Sequence, residues 1–174
     1  ISDYGYGVSL LNDCKYGYNV DNGTMKLSLF KCATYPDPDA DKGEHVFTYS
    51  LFPHAGNYRD AGTVQLAYEI NNPLKASLID KQNGTLPEEY SFVSCDKDNF
   101  IVETVKKAEN SDDIIVRGYE SYNKGTSVTL NFGFDVKEAI LCDLLERDVE
   151  KLTVENNSVS FKAKPFEIIT IKVK

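Results

Sequence analysis

Side chains able to do chemistry are plentiful in this 174-residue chain, but they are not set in the spacings that chemistry demands. Hydrolysis of a glycosidic bond needs two carboxyl groups held about 5 to 9 Å apart across a rigid cleft. The 27 acidic residues offer many pairs by chance, and neither Glu88 with Glu89 nor Glu146 with Glu150 is patterned as an acid and a nucleophile. No residue is assigned as catalytic. The two histidines, His45 and His54, are nine positions apart. If residues 45–53 form one continuous strand, that odd separation puts them on opposite faces, which is poor geometry for a shared metal. His54 follows a proline and precedes Ala55-Gly56. It is therefore expected at a strand end, where it can reach a neighbouring domain, although a local hydrogen bond is the plainer role for a lone histidine.

Cys14, Cys32, Cys95 and Cys142 show none of the close pairing of zinc ribbons or redox motifs. Buried, reduced thiols are the expectation, and a reducing, cytoplasmic setting fits them. Asp37, Asp39 and Asp41 alternate as in a calcium loop, yet no helix flanks them, and the glycine and glutamate that complete an EF-hand are missing. A solvated loop is expected there. No metal site is expected within the chain.

The elements that must position these groups read as strands. Apolar residues alternate at Met25, Leu27 and Leu29; at Phe47, Tyr49 and Leu51; at Val64, Leu66, Tyr68 and Ile70; at Val128, Leu130, Phe132 and Phe134; and at Ile169, Ile171 and Val173. Each run predicts a strand with one apolar face. Turn clusters separate the runs, among them Asp21-Asn22-Gly23, Asn71-Asn72-Pro73, Asn83-Gly84 and Asn123-Lys124-Gly125. No sustained helical stripe is read. The prediction is an all-β fold, an antiparallel β-sandwich in two packed units, with a joint where breakers outnumber apolar pairs. Residues 1–75 form the first unit, 76–89 the linker and 90–174 the second.

Charge and sequence signals narrow the function classes. A formal net charge of −8, spread along the chain, lacks the clustered basic surface that nucleic acid requires. No apolar run is long enough to span a membrane, and no leader peptide is visible. Asn22-Gly23-Thr24, Asn83-Gly84-Thr85 and Asn156-Asn157-Ser158 are formal glycan acceptors. Two of them are Asn-Gly turns, and turn formation explains the dipeptide without a glycan. Arg117 with Glu120, and Glu146 with Arg147, read as cross-strand ion pairs.

Four segments carry a family resemblance. They are Gly5-Tyr6-Gly7-Val8-Ser9-Leu10-Leu11-Asn12-Asp13-Cys14-Lys15-Tyr16-Gly17, His45-Val46-Phe47-Thr48-Tyr49-Ser50-Leu51-Phe52-Pro53-His54-Ala55-Gly56, Glu138-Ala139-Ile140-Leu141-Cys142-Asp143-Leu144-Leu145-Glu146-Arg147 and Pro165-Phe166-Glu167-Ile168. In that order they resemble the C-terminal β region of glycoside hydrolase family 38, the α-mannosidases, in its cytosolic or vacuolar branch. The resemblance implies a large sandwich domain to which residues 1–75 contribute and a small one at 90–174. It also implies a parent enzyme several times longer, whose N-terminal β/α domain holds a zinc or similar divalent ion and an aspartate nucleophile. Nothing here matches that domain. With Ile1 in place of an initiator methionine, the chain is expected to be a fragment, inactive alone.

Through that resemblance the chain would buttress a retaining α-mannosidase acting on terminal α-linked mannose of glycans. Its partners would be the catalytic region of the same parent chain and, through the parent, mannose-containing glycans, with no nucleic acid or membrane and with a homo-oligomeric parent. Asn12, Asp13 and Lys15 are the rim candidates, since a buried strand ends at Leu10-Leu11 and polar groups emerge at the following turn. His54 joins them. The alternative is an Asx-type turn with Lys15 as a surface charge. Family members place the loop at 36–44 near the catalytic face. Tyr4, Tyr6, Tyr16 and Tyr18 offer a stacking surface for sugars, which suits a second reading as a free-standing carbohydrate-binding or adhesion module.

Overall fold

A computed structural model describes residues 1–85 and 87–174. Leu86, inside the expected 76–89 joint, lies outside the described residues. The chain forms two compact units, Ile1–Leu78 and Ile79–Lys174.

In the first unit, β1 (Ser2–Asp3), β2 (Tyr6–Asn12) and β5 (Tyr49–Ala55) make a three-stranded antiparallel sheet in the order β1-β2-β5. Between β2 and β5, strands β3 (Tyr18–Asp21) and β4 (Thr24–Leu27) form a separate hairpin. Its turn places Asn22 at φ 46° and Gly23 at φ 73°. These are the two left-handed positions of a type I′ turn, which explains the Asn-Gly pair without a glycan. Helix α1 (Thr63–Asn71) follows.

That helix corrects one expectation. Val64, Leu66, Tyr68 and Ile70 alternate as a strand would, yet they lie on α1 and are all half-buried. The same residues satisfy helical spacing through Val64, Ala67 and Tyr68 and through Leu66 and Ile70, so a nine-residue apolar stretch does not separate the two periods. The boundary residues settle it. Asn57 Oδ1 accepts the Arg59 amide at 2.8 Å, and Asp60 Oδ2 accepts the Asn57 amide at 3.0 Å, winding the chain toward the helix start. At the other end the Asn72 amide donates to the Tyr68 carbonyl at 2.8 Å, and Pro73 prevents continuation.

Strand β5 corrects a second expectation. It begins at Tyr49, so His45 and Phe47 are not on it, and a continuous strand over 45–53 does not exist. Its apolar odd-numbered residues are not its covered face. Ser50, Phe52 and His54 turn toward the covered side, while Tyr49 and Leu51 are 57% and 62% exposed.

The second unit contains a five-stranded sheet in the order β11-β10-β14-β8-β7 and a four-stranded sheet in the order β12-β13-β9-β6. The strands are β6 (Val93–Cys95), β7 (Phe100–Lys107), β8 (Ile114–Glu120), β9 (Thr126–Phe132), β10 (Ala139–Cys142), β11 (Asp148–Leu152), β12 (Val154–Glu155), β13 (Ser158–Ala163) and β14 (Ile168–Val173). All pairings are antiparallel. The predicted alternation holds here. Val128, Leu130 and Phe132 of β9 and Ile169, Ile171 and Val173 of β14 are buried in one core with Phe100, Val116 and Val159. Each such side chain stabilises the unit by about 1.5–3 kcal/mol. The unit is an antiparallel sandwich, and the chain as a whole is mostly β.

The expected ion pairs fall elsewhere. Glu120, fully buried at the end of β8, pairs with no arginine; its carboxylate accepts Asn99 Nδ2 at 2.9 Å and the amides of Tyr122, Lys124 and Phe166 at 2.8, 3.1 and 3.0 Å. Arg117 instead donates to Thr170 Oγ1 at 2.9 Å and to the Leu144 carbonyl at 3.0 Å. Glu146 pairs with Lys106 at 2.8 Å and Arg147 with Asp143 at 2.7 Å. The four cysteines are free; only Cys142 is buried, Cys95 is half-buried, and Cys14 and Cys32 are exposed, so burial does not hold for all four thiols.

Candidate functional site

The rim candidates gather at the end of β2. Leu11 is buried, and the chain then turns out of the sheet through Asn12, Asp13, Cys14 and Lys15. Asn12 Oδ1 accepts the Lys15 amide at 2.5 Å, an Asx-type closure of the turn. Asp13 fastens this turn to the segment entering β5. Its Oδ2 accepts the Thr48 amide at 2.8 Å, and its own amide donates to the Thr48 carbonyl at 3.2 Å. The adjacent Cys14 thiol and the Thr48 amide hold the Asp13 carboxyl below its ordinary value of 3.8. The neighbouring Asp13 carboxylate in turn raises the Cys14 thiol, so Cys14 is not a ready nucleophile. Asn71 of α1 donates to the Asn12 carbonyl at 3.3 Å.

Lys15 lies with its ammonium 4.9 Å from the centre of the Phe47 ring, a cation–π placement. A cleft of about 320 Å³ opens beside it, between β2 and the β3–β4 hairpin. Leu10, Asn12, Lys15, Tyr16, Tyr18 and Met25 are among its lining residues. Two candidates, Asn12 and Lys15, therefore share one cleft with the exposed Tyr16 and Tyr18. The cleft thus combines amide, ammonium and aromatic groups with an apolar lining of Leu10, Val20, Met25 and Leu27.

His54 is separated from that cleft. It is buried on the other face of the sheet, with Nε2 3.0 Å from Ser9 Oγ and Nδ1 3.3 Å from the Ala55 carbonyl oxygen. Ser9 Oγ lies 3.0 Å from Thr63 Oγ1 at the start of α1. With Nδ1–H donating to Ala55, Nε2 accepts the Ser9 hydroxyl proton, and Ser9 accepts that of Thr63. The relay ties β5, β2 and α1 together. A Ser–His pair at this distance is the opening of a nucleophile–base arrangement, but neither side chain lines the cleft, so its contribution is to hold the layer in place.

Gly7 makes the histidine possible. A Cβ at Gly7 would fall 2.2 Å from His54 Cε1 and 2.9 Å from the Gly56 carbonyl oxygen. Sequence reading gave no role to Ser9, Thr63 or Gly7, although Gly7 and Ser9 stand within the signature segment at residues 5–17.

The acidic loop stands as a self-contained turn. Asp37 Oδ1 accepts the Asp39 amide at 2.9 Å, Asp39 pairs with Lys42, and the Asp41 carbonyl meets His45 Nε2 at 2.7 Å. His45 also stacks on Phe30 with ring centres 5.3 Å apart. Among the described residues, no cluster of three or more His, Cys, Asp or Glu side chains is placed to hold a metal ion. No helix among them is long and apolar enough to cross a membrane.

The fold and this cleft define an antiparallel β-sandwich region with a polar, aromatic-lined turn. Residues 1–39 match the Glycosyl hydrolases family 38 C-terminal domain, and residues 99–171 match the Glycosyl hydrolases family 38 C-terminal beta sandwich domain. The chain belongs to glycoside hydrolase family 38, as its C-terminal β region. Alpha-mannosidase 2C1 of Homo sapiens is 38% identical over 98% of the chain, and alpha-mannosidase G of Dictyostelium discoideum 36% over 99%. The alpha-mannosidase of Saccharomyces cerevisiae is 33% identical over 99%. The chain spans only 17%, 16% and 18% of those three relatives. A family 38 protein from Enterococcus faecalis shares the fold across the whole chain, with a TM-score of 0.79 at 22% identity, and the chain covers 21% of it.

Proposed function

We propose that this chain is the non-catalytic C-terminal portion of a longer α-mannosidase that removes terminal α-linked mannose from glycans with retention. The observation that carries the reading is the match of nearly the whole chain to alpha-mannosidases of which it covers about a sixth. Retaining chemistry takes a nucleophile and a general acid about 5 Å apart. These belong to the remainder of the parent, together with the zinc or similar ion that would orient sugar hydroxyls there. This chain supplies architecture: residues 1–75 as part of the large sandwich, 76–89 as a connection and 90–174 as the small sandwich. In this reading the parent works in the cytoplasm, a reducing setting that the four unpaired thiols suit.

Asn12, Asp13 and Lys15 form the part of the rim nearest the sugar pocket. Asn12 and Lys15 face the cleft, and Asp13 fixes the turn to Thr48. His54 is a positioning residue that holds β5 against β2 through Ser9. Assay of both proteins on an aryl α-mannoside, with zinc or cobalt supplied, tests the reading. The parent should turn over the substrate and the 174-residue chain should not. Turnover by the pure chain would overturn the scaffold role. Mannoside binding by a chain whose gene encodes no mannosidase domain would favour the free-standing binding module.

A further inference from the structure

The three-stranded sheet of the first unit has one covered face and one that the β3–β4 hairpin covers only in part, leaving Val8 and Leu10 half-buried. Gly7, Ser9 and Leu11 of β2 are buried on one side, where Ser9 bonds to α1. The opposite side carries Tyr6, Val8 and Leu10, paired in register with Ala55, Pro53 and Leu51. Tyr6, Tyr49 and Leu51 are 57%, 57% and 62% exposed. An open apolar trough bounded by Leu10, Met25, Leu27, Leu29, Tyr49 and Leu51 continues this face beneath the hairpin. Alternating apolar side chains in register on two paired strands form the inner face of a sandwich layer, and a patch of this kind left bare on a finished domain is an aggregation hazard. The second unit shows the finished state, with its β9 and β14 apolar faces buried in one core.

We infer that the Val8, Leu10, Leu51 and Pro53 face is a docking surface for strands from the rest of the parent chain, which supply the missing layer. The inference rests on the proposed parentage. The chain length outside this region points to that occupant, since the relatives are about six times longer and the solved family 38 protein includes this fold as 21% of its chain. The free edge of β5 does not compete for the role. The Asp13 amide bonds to Thr48 and the Gly56 amide to Gly5, so even-numbered residues point to β2 and odd-numbered ones outward. Pro53 thus sits on the outer edge, where it has no N–H to offer an added strand. The partner covers the face.

Hydrogen exchange on the 174-residue chain and on the full-length parent, read over peptides spanning 6–12 and 49–55, tests this without any activity measurement. In the parent those peptides should exchange about tenfold or more slowly than in the chain, because docking stabilises the layer against opening. A parent carrying both Leu10→Asp and Leu51→Asp should lose that slowing, while the same changes in the chain alter exchange little and reduce binding of a hydrophobic dye. Equal exchange in chain and parent would overturn the inference even if the parent is an active mannosidase. Slowing in a parent without mannosidase activity would uphold it and sink the proposed function instead. Concentration-dependent protection and dimerisation of the chain alone would make a second copy the occupant, and the inference would fail.

Discussion

His54 and Ser9 stand 3.0 Å apart on neighbouring strands because Gly7 leaves the space the imidazole fills. A methyl group at Gly7 would collide with the ring and with the Gly56 carbonyl, which is backbone and cannot swing aside. The glycine serves a close approach here, and the family signature is a packing device at this point as much as a chemical one.

Gly7→Ala in the full-length parent should therefore loosen the first unit by about 1–3 kcal/mol, the usual cost of overpacking. Faster hydrogen exchange across residues 1–78, with no change across 79–174, is the expected reading. His54→Gln, which keeps a polar group near Ser9, should cost less than His54→Ala.

Gly118 repeats the arrangement in the second unit. A Cβ there would lie 2.4 Å from the Ile101 carbonyl oxygen and 2.5 Å from the Phe100 ring, beside the register shift between Val102 and Thr104. Gly118→Ala should destabilise the sandwich by at least about 1–3 kcal/mol, seen as a lower denaturation midpoint for the chain.

Glu120 should be the most sensitive charge in the chain. Burial by itself raises its pKa, but the amides of Phe166 and Tyr122, the Asn99 side chain and the Lys124 amide together bring it below the ordinary 4.5. The folded pKa is the depressed one, so this stabilisation is present above about pH 4.5 and is lost as pH falls through the folded value. Glu120→Gln should cost about 2–4 kcal/mol, because the amide keeps one acceptor oxygen and turns an NH₂ toward N–H donors. It should also flatten the acid limb of the stability curve, measured by denaturation between about pH 3 and pH 7.

At the rim, Asn12→Ala, Asp13→Ala and Lys15→Ala in the parent should lower activity more than Asp37→Ala or Asp39→Ala. The first three build or face the turn and cleft, whereas the two loop aspartates bond only within their own turn. Loss of about 1 kcal/mol or more of transition-state binding, a factor of about five to ten in kcat/KM, is expected for Asn12 and Lys15. Equal effects from the loop pair would move the rim to residues 36–44.

The all-β class, the β9 and β14 core and the Asn22-Gly23 turn were legible in the sequence, because period-two burial and left-handed turn positions are local properties of consecutive residues; Asn83-Gly84, expected as a second such turn, takes no left-handed φ and joins no pair of strands. Asn156 and Asn157, read in the sequence only as part of a glycan acceptor, take φ of 50° and 57° in the turn between β12 and β13. The family was legible for a similar reason, since its signatures are contiguous. Three features were not. The stretch from Val64 to Ile70 satisfies both periods, and only its neighbours and the sheet beneath it select helix. Which face of β5 is covered depends on where α1 lands, and no residue within β5 encodes that. The His54–Ser9–Thr63 relay and the Glu120 knot join residues 9 to 63 and 99 to 166, and a long-range hydrogen bond leaves no periodic trace. Local backbone preference wrote the strands into the chain; which side chains meet was decided by the packing of layers, where steric space at one glycine or four donors around one carboxylate outweighs anything a neighbour in sequence can do.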